Sequence, residues 1–387
     1  MKIAVYGGSF NPPHLGHRSA AETVCRELKP DKFLIIPDNI PPHKEMCAAS
    51  PSPRQRMELC RLNFADIPGA EISDMEIKRE GKSYTAHTIE TLQQMYPGDE
   101  LILVMGTDML LSFEDWYRFE FLLKSCTLAV VSRDDEDELS IRAKAQEFSE
   151  KYNADIVIMT HNPLPMSSSE IRERLRLRMG RDALSPEVYA SIIKNNYYEA
   201  LPELIWLREM VMPYLKSSRI AHVAGVENEA VMLARHWGED MELAAEAGIL
   251  HDITKALSFE EQLIMCEKYG IILDNTEAES PALLHAKTGA ALARELFGIS
   301  KPVYDAIYWH TTGRPDMSLL EKIVYLADVI EPGRDFPGVE RLRELSYTDI
   351  DKAMAEALLG SIEEVKSHGR TPHENSVEAY LWYAENK

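Results

Sequence analysis

The chain has few cysteines, no long apolar run and no excess of positive charge, and each absence excludes a class of protein. Its five cysteines are odd in number and include no Cys-x-x-Cys pair, so neither a disulfide framework nor a zinc ribbon is indicated. No apolar run approaches membrane-spanning length, and we expect no cleavable signal. With 63 acidic and 42 basic residues the net charge is −21, which argues against nucleic acid held through its phosphates. These features predict a soluble cytoplasmic enzyme.

Internal repeats and low-complexity tracts are also absent, but the sequence pattern changes near residue 200. A chain of 387 residues is long for a single hydrophobic core. We therefore expect two domains, at 1–200 and 201–387. The first is predicted to be α/β, with apolar strands at 3–6 and 101–105, whereas from Glu203 onward the periodicity is helical throughout. The helical runs are predicted at 204–217, 219–237, 240–250, 258–269, 285–297, 301–310, 317–330, 349–367 and 374–385.

The most informative segment follows the first strand and reads Gly7-Gly8-Ser9-Phe10-Asn11-Pro12-Pro13-His14-Leu15-Gly16-His17. Glycines let the backbone turn sharply and approach a ligand, and a helix beginning near Leu15 would aim unpaired N–H groups at an anion. His14 and His17 can face one side of this turn and donate hydrogen bonds to phosphate oxygens. We therefore predict His14 and His17 as catalytic. The predicted binding residues are Gly7, Gly8, Ser9 and Phe10.

A second motif, Met166-Ser167-Ser168-Ser169-Glu170-Ile171-Arg172, predicts a serine-capped basic helix. Serine caps are common on helices of any function. Here, however, hydroxyls, free N–H groups and a guanidinium suited to a phosphate converge on one point. We predict that Ser168 and Ser169 bind substrate and that Arg172 is catalytic.

Together these motifs resemble the nucleotidyltransferase superfamily, in the form of bacterial nicotinate mononucleotide adenylyltransferases. The resemblance covers about half the chain and implies a doubly wound parallel sheet, Rossmann-like, with ATP at the carboxyl ends of the strands. Ser169 stands where that family has threonine, which keeps the hydroxyl. A pantetheine-phosphate adenylyltransferase is the open alternative.

The resemblance also assigns further residues. It places Gly106 and Asp108, after the strand at 101–105, on the adenosine side, and it implies that Trp116, on a following helix, stacks against the nicotinate ring. Trp116 is also large enough to be a core residue. The resemblance also places Tyr84 and Thr85 in the acceptor-base loop. Lys44, with His43, would lie near the ATP phosphates, and we predict Lys44 as catalytic.

One local departure affects base recognition. Where the family often has Asp or Asn and then Leu, this chain has His87 and Ile89. The predicted chemistry is unaffected, because the phosphate of a mononucleotide is already ionised and can attack the α-phosphorus of ATP without a general base. Positioning and charge neutralisation are then sufficient, with Mg²⁺ carried by ATP rather than by a protein cage.

A second set of chemical residues lies in the helical half. His222, the doublet His251-Asp252, His285, His310 and Asp328 occur in that order on or at the ends of predicted helices. A single histidine of this kind is more often an ordinary surface or core residue. Together, imidazoles and carboxylates suit one or two transition metals that keep positions open for water.

The order of these residues resembles the HD phosphohydrolase superfamily. Flanking segments such as 247–255 and 326–334 look like bacterial HD hydrolases that cleave diadenosine tetraphosphate symmetrically into two ADP. The resemblance implies two metal ions, with iron as the expected metal and Mn²⁺ as the alternative. His222, His251, Asp252 and Asp328 would surround one ion and His285 and His310 the other, with Asp252 as the bridge. Asp252 and Lys255 are predicted as catalytic and Arg314 as binding substrate phosphate, although both cations could be plain solvated charges.

Taken together, the sequence predicts a bifunctional enzyme of NAD biosynthesis whose partners are ATP, nicotinate mononucleotide and dinucleoside polyphosphates. The alternatives are an HD module that senses nucleotides without hydrolysing them, or one that acts on cyclic or deoxynucleotides. The native metal, the choice between nicotinate and nicotinamide, and homo-oligomerisation remain open at this stage.

Overall fold

The computed structural model describes residues 1–42, 45–79, 81–132, 138–159 and 167–385. They form two compact units, Met1–Leu201 and Pro202–Lys387. Lys44, His43 and Met166 lie outside the described residues.

The first unit is built on a six-stranded sheet in the order β3-β2-β1-β4-β5-β6, and every neighbouring pair of strands is parallel. The strands are β1 (Lys2–Gly8), β2 (Lys32–Pro37), β3 (Ala70–Ile72), β4 (Glu100–Gly106), β5 (Thr127–Val131) and β6 (Ile156–Met159). The helices are α1 (Leu15–Leu28), α2 (Pro53–Asn63), α3 (Thr85–Met95), α4 (Thr107–Leu111), α5 (Phe119–Ser125), α6 (Glu138–Tyr152), α7 (Ser168–Arg176) and α8 (Pro186–Lys194). This confirms the predicted Rossmann-like α/β fold.

The strands are apolar without alternation because both faces of the sheet are covered. Along β1, Ile3 and Val5 join one buried cluster while Ala4 and Tyr6 join the other, as the two-residue period of a strand requires. The strand order reverses between β1 and β4, and a crevice forms at their carboxyl ends. The glycine-rich loop after β1 opens into this crevice.

Among its described residues the second unit contains helices and no strand, which confirms the prediction for this half. The helices are α9 (Leu204–Val211), α10 (Ser217–Trp237), α11 (Met241–Leu250), α12 (Phe259–Tyr269), α13 (Pro281–Phe297), α14 (Lys301–Trp309), α15 (Leu319–Ile330), α16 (Val339–Ser346), α17 (Ile350–Ser367) and α18 (Glu374–Glu385). In the part of the chain that the structure describes, no helix combines the length and the apolar character needed to cross a bilayer.

Two details of the helical half differ from the sequence prediction. The run predicted at 204–217 ends as an α-helix at Val211 and tightens into a 3-10 turn at Met212–Tyr214, because Pro213 lacks the N–H that would continue the α-helix. The short helix α16, which begins after Gly338 at a positive φ of 93°, was not predicted. Its two turns are too few for a clear periodic signal.

One close helix contact positions the site of this unit. A Cβ at Gly248 in α11 would lie 2.8 Å from the Cα of Glu227 in α10, so only glycine lets these two backbones approach so closely. The contact brings His251, at the end of α11, against His222 on α10, with their ring centroids 5.4 Å apart.

Candidate functional sites

A cavity of about 750 Å³ opens at the carboxyl ends of β1, β2, β4 and β5. Every site residue predicted for this unit that the structure describes lines it. Those residues are Gly7, Gly8, Ser9, Phe10, His14, His17, Tyr84, Thr85, Gly106, Asp108, Trp116, Ser168, Ser169 and Arg172. The volume is in the range of small-molecule sites.

The two histidines of the first motif form the start of helix α1. His14 is its N-cap, and its Nδ1 accepts a hydrogen bond from the N–H of Gly16 at 3.2 Å. Nδ1 of His17 accepts from the N–H of His14 at 3.3 Å. Because Nδ1 is the acceptor in both rings, the neutral imidazoles carry their proton on Nε2. Both side chains therefore present an N–H donor at a helix N-terminus in the cavity.

The glycine loop leaves room for a ligand near its backbone. A Cβ built on Gly7 would meet nothing within 4 Å, whereas one on Gly8 would lie 3.3 Å from the ring of Phe10. Phe10 itself is 2% exposed and packs against His17 with ring centroids 5.1 Å apart. Phe10 thus packs against the ring of His17, and Gly7 leaves open space beside its backbone in the cavity.

A buried ion pair holds this loop, and the sequence analysis missed it. Arg56 on α2 has no exposed surface, and its guanidinium contacts Asp38 Oδ1 at 2.8 Å and also the carbonyl oxygen of Ser9. The hydroxyl of Ser9 donates to Asp38 Oδ2 at 2.6 Å. The Ser9 hydroxyl is therefore bonded to Asp38, which follows β2. No local motif in the sequence marked Arg56, because its partners are distant along the chain.

The serine motif begins helix α7 as expected. Ser167 is the N-cap with a reciprocal capping box to Glu170, Ser168 Oγ donates to the carbonyl of Pro12 at 3.2 Å, and Arg172 donates to the carbonyl of Asn11 at 2.6 Å. Arg172 also contacts Ser169 Oγ at 3.0 Å. The two motifs, far apart in sequence, thus form one wall of the cavity.

Aromatic side chains, Tyr84, Trp116 and Tyr117, also line the cavity. Tyr84, at the start of α3, lies 4.9 Å from Tyr117 between ring centroids, and His87 packs on Tyr117 at 5.5 Å. His87, which departs from the family pattern, therefore belongs to this aromatic group. Trp116 follows a 3-10 turn at Phe113–Asp115 rather than lying on a helix as predicted. It is half-buried against Phe113 and also lines the cavity, so it has both a packing and a lining role.

One buried carboxyl in the cavity wall was not foreseen. Glu76 is 6% exposed, and Thr88 Oγ1 donates to it at 2.5 Å. Burial raises the pKa of Glu76 above its usual range, although the hydrogen bond from Thr88 opposes this. Glu76 lies in the segment 73–84 between β3 and α3, where a single glutamate gives no sequence signal of its own.

In the second unit, the predicted imidazoles and carboxylates converge in a single buried cluster, which we call the His–Asp cluster. Nε2 of His222 lies 3.3 Å from Nε2 of His251 and 3.1 Å from Oδ1 of Asp328. Nε2 of His285 lies 3.1 Å from Nε2 of His310. All six predicted residues meet here: His222, His251, Asp252, His285, His310 and Asp328.

Asp252 occupies the centre of the His–Asp cluster. Its Oδ2 lies 3.5 Å from His251 Nε2, and its Oδ1 lies 3.2 Å from His285 Nε2. Burial opposes ionisation of this carboxyl, but His251 and His285 outweigh it when their rings are protonated and hold the pKa of Asp252 well below its ordinary value. One oxygen thus faces each half of the donor set, as a bridging ligand would.

Hydrogen bonds at the other ring nitrogen fix the histidines. Nδ1 of His251 donates to the carbonyl of Gly248 at 2.8 Å, and Nδ1 of His310 donates to the carbonyl of Ile307 at 2.6 Å. Nδ1 of His222 donates to Glu331 at 3.1 Å. Each bond leaves the Nε2 lone pair directed inward, which is the usual arrangement of metal-binding histidines. Burial also lowers the pKa of His310 to about 3 and so keeps it neutral.

This donor set fits divalent metal ions. Neutral imidazole lone pairs repel one another at 3.1–3.3 Å unless a cation lies between them, and N and O donors at such separations match first-row metals. His222, His251 and Asp328 form one group of donors, and His251, Asp252 and His310 form another. The structure therefore supports a metal centre without identifying the metal.

Three cations border the His–Asp cluster. The side chains of Arg219 and Arg334 contact Asp252 and Asp328 respectively, the latter at 2.6 Å. Lys255 Nζ lies 3.1 Å from His285 Nε2, and burial lowers the pKa of Lys255. Arg219, Arg334 and the carboxylate Glu331 were not predicted, although Glu331 and Arg334 fall within a segment that carries the resemblance.

Arg314 lies in a different setting. Its guanidinium makes two hydrogen bonds to Glu321, at 2.7 and 2.9 Å, and lies 5.9 Å from the ring of Trp309. A separate group of donors, Asp274, Glu277 and His373, was also unforeseen. There, Lys287 Nζ already contacts Glu277 at 2.5 Å, and Nδ1 of His373 accepts from the N–H of Asn375, so the second ring nitrogen of the neutral imidazole carries a proton.

Comparison with known proteins matches the two units to two families. Residues 5–174 match the cytidylyltransferase-like family model, and residues 219–333 match the HD domain model. The chain is 37% identical over 198 residues to a probable nicotinate-nucleotide adenylyltransferase of Carboxydothermus hydrogenoformans, covering 51% of this chain and 98% of that protein. It is 34% identical over 200 residues to its counterpart in Fusobacterium nucleatum, covering 51% and 100%.

Among solved structures, the chain is similar to a predicted HD superfamily hydrolase involved in NAD metabolism from Clostridium acetobutylicum. The identity is 38%, the alignment covers 49% of this chain and 100% of that one, and the TM-score is 0.47.

Proposed function

Because the chain belongs, through its N-terminal half, to the nicotinate-nucleotide adenylyltransferase family, we propose that this half transfers the adenylyl group of ATP to nicotinate mononucleotide. The products are deamido-NAD and pyrophosphate, and Mg²⁺ accompanies ATP. The observation that supports this best is the pair of Nε2–H donors of His14 and His17 at the N-terminus of α1, in a cavity at the strand-order reversal.

The residues of the cavity account for the chemistry by position and charge. A phosphate oxygen of the mononucleotide forms a bond to the α-phosphorus of ATP, and the bond to the bridging oxygen of pyrophosphate breaks. His14 and His17 donate hydrogen bonds to the phosphate oxygens as charge builds. Arg172 uses only part of its five-donor guanidinium on Asn11 and Ser169, and its remaining donors serve phosphate. Tyr84, Tyr117 and Trp116 give the acceptor base an aromatic wall.

The test is product analysis with defined substrates. The full-length protein is incubated with ATP, Mg²⁺ and either nicotinate or nicotinamide mononucleotide, and with pantetheine phosphate as the competing acceptor. Formation of deamido-NAD with nicotinate mononucleotide supports the proposal. Transfer only to pantetheine phosphate would replace it.

For the second half, we propose metal-dependent hydrolysis of a phosphoanhydride, with diadenosine tetraphosphate cut symmetrically into two ADP. His222, His251, Asp252 and Asp328 would hold one ion and His285 and His310 the second, with Asp252 shared. When bound, the metals supply Lewis acidity that activates water near neutral pH and neutralises phosphate charge. The convergence of these inward-facing nitrogen and oxygen donors supports the proposal.

The chain's own side chains complete the site. Arg219 and Arg334 hold the carboxylates of Asp252 and Asp328 in place. Lys255, beside His285, brings a cationic group to the edge of the donor set and would bind a substrate phosphate. The buried nitrogen donors are fixed by their own hydrogen bonds, so positioning precedes substrate binding.

A nucleotide-sensing module is the second candidate, since a sensor could use the same donors. Metal content of the purified protein is measured first, with iron and manganese determined separately, followed by products from diadenosine tetraphosphate. ADP as the sole nucleotide product supports symmetrical cleavage. ATP with AMP would contradict it, and nucleotide binding without turnover would favour the sensor.

A further inference from the structure

Glu331 is a buried carboxylate that lies outside both groups of metal donors. It follows the last residue of α15 and is 4% exposed. Its Oε1 accepts the hydrogen bond from Nδ1 of His222 at 3.1 Å, and its Oε2 accepts from the N–H of Gly333 at 2.5 Å. Glu331 therefore contacts the donor set through the ring of His222, at the nitrogen that does not face the other donors.

Two glycines leave the space that this carboxylate fills. A Cβ at Gly225 on α10 would lie 2.6 Å from Glu331 Oε2, and a Cβ at Gly333 would lie 3.0 Å from both oxygens. Gly225 comes three residues after His222, so both lie on the same face of α10. The guanidinium of Arg343 also donates to the backbone carbonyl of Glu331 at 3.1 Å. The fold thus holds the carboxylate in one place beside His222.

The other histidines of the His–Asp cluster have different partners. Nδ1 of His251 and Nδ1 of His310 donate to neutral backbone carbonyls. His285 has the side-chain nitrogen of Lys255 within 3.3 Å of both ring nitrogens. In the part of the chain that the structure describes, His222 is the one histidine of the cluster whose Nδ1 donates to a carboxylate. Such a charge-assisted bond is stronger than one to a carbonyl, and it makes the opposite ring nitrogen a better metal ligand.

The charges around the two proposed metal positions differ in the same direction. The first position is the one at His222, His251, Asp252 and Asp328, and the second is the one at His285 and His310, with Asp252 shared. At the first position, the carboxylates of Asp328 and Glu331 are balanced by the guanidiniums of Arg219 and Arg334. The second position borders the cationic side chain of Lys255. Because a divalent ion is repelled by a nearby cation, the first position favours the ion more strongly.

We propose that Glu331 is a positioning residue of the metal centre, and that through His222 it makes the first position bind its ion more tightly than the second. The inference rests on the metal centre of the proposed hydrolase, but it does not depend on which nucleotide is cleaved. One ion then stays with the protein while the other exchanges with the solution.

The test measures metal binding directly. The full-length protein is stripped of metal with a chelator and titrated with Mn²⁺, and free Mn²⁺ is followed by its electron paramagnetic resonance signal. The wild type should bind two ions with dissociation constants at least about tenfold apart. Glu331→Gln keeps the shape of the side chain but removes its charge. It should raise the dissociation constant of the tighter ion about 10–100-fold, the usual cost of losing such a partner, and leave the other within about twofold.

Gly225→Ala tests the same contact without removing a charge. The added Cβ would displace the carboxylate of Glu331 from His222, whereas alanine is well suited to the interior of α10. This variant should weaken the tighter ion about tenfold. Glu321→Gln is the matched control, because Glu321 is a buried glutamate at the opposite end of α15 that pairs with Arg314. It should leave both dissociation constants at their wild-type values.

Equal dissociation constants in the wild type, or an unchanged tighter constant in both variants, would overturn the inference. Equal weakening of both ions would also overturn it, since that result indicates a general structural role. If the tighter ion is selectively weakened but the wild type does not cleave diadenosine tetraphosphate, the hydrolase proposal fails while the role of Glu331 stands. If the wild type cleaves this substrate with two equally bound ions, the inference alone fails.

Discussion

The cavity of the first unit and the His–Asp cluster of the second handle negative charge in opposite ways. The cavity is an open volume of about 750 Å³ that presents hydrogen-bond donors, namely N–H groups, imidazoles and the guanidinium of Arg172, beside carboxyls such as those of Asp38 and Glu76. The His–Asp cluster instead packs acceptors together, with His251, Asp252 and His285 almost fully buried. A site of donors can receive phosphate directly, whereas a site of acceptors must first bind a cation. This difference fits the proposal that the metal of the first site arrives with its substrate, whereas the second site holds its own.

The largest effect is expected from a substitution at the centre of the His–Asp cluster. Asp252→Asn keeps the shape of the side chain but removes the charge that faces both groups of donors. Hydrolysis of diadenosine tetraphosphate should fall at least about a thousandfold, and bound metal per chain should fall with it. Formation of deamido-NAD by the same preparation is the control. Full hydrolysis by a metal-loaded variant would contradict the bridging role.

The corresponding change in the donor site is His17→Ala. It removes one Nε2–H donor and should slow adenylyl transfer by about 10²–10³-fold, the usual cost of one such donor. Hydrolysis of diadenosine tetraphosphate and bound metal should be unaffected. Loss of both activities from this one substitution would show that the two sites do not work independently.

The free energy of unfolding can be used to compare a buried ion pair with an exposed one. Arg56→Met would leave Asp38 buried without its partner and should lower the free energy of unfolding by about 3–5 kcal/mol, measured by urea denaturation. Arg341→Met, which removes an exposed pair with Glu356, is the matched control and should cost less than about 1 kcal/mol. Similar losses from both would mean that the Arg56–Asp38 pair is not the support of the glycine loop.

The smallest effects concern two buried glutamates with opposite pKa shifts. Burial acts to raise the pKa of Glu277, but His373 and Lys287 outweigh it and lower the pKa to about 2. Its stabilising contribution is complete above pH 4.5 and is lost as the pH falls towards 2, so Glu277→Gln should cost about 2 kcal/mol at pH 7 and little near pH 2. Burial raises the pKa of Glu76, so the stability of the folded state falls as the pH rises above 4.5.

Glu76→Gln should therefore stabilise the first unit slightly at pH 7, by at most about 1 kcal/mol, and should have no such effect below pH 4.5. Urea denaturation of both variants across this range checks the two signs together. Parallel pH dependences for the two substitutions would contradict the environments described for these side chains.

The sequence was sufficient for the fold class and for the residues that meet in each site, because both sets carry local signals. Glycines after a strand, a serine cap and a histidine before aspartate are each recognisable within a few residues. The supporting side chains are different. Arg56 meets Asp38 across 18 positions and Glu331 meets His222 across 109, so only the folded chain reveals them.

Errors of detail have similar physical causes. Trp116 was predicted to lie on a helix, but it follows a 3-10 turn and its own backbone is extended. Helix α16 was not predicted, because a helix of eight residues shows little periodicity. The assignment of Arg314 to substrate phosphate stays a prediction; in the structure its guanidinium pairs with Glu321, seven residues away, which also caps helix α15.

The bonds from His251 and His310 to carbonyls of their own helices have a consequence for metal exchange. Each imidazole is oriented by a carbonyl of the preceding helical turn. The positions of the two Nε2 atoms should therefore stay the same when no ion is bound. Chelation should therefore yield an apoprotein with undiminished helical circular dichroism. Re-addition of ferrous or manganous salt should restore metal binding without a refolding phase.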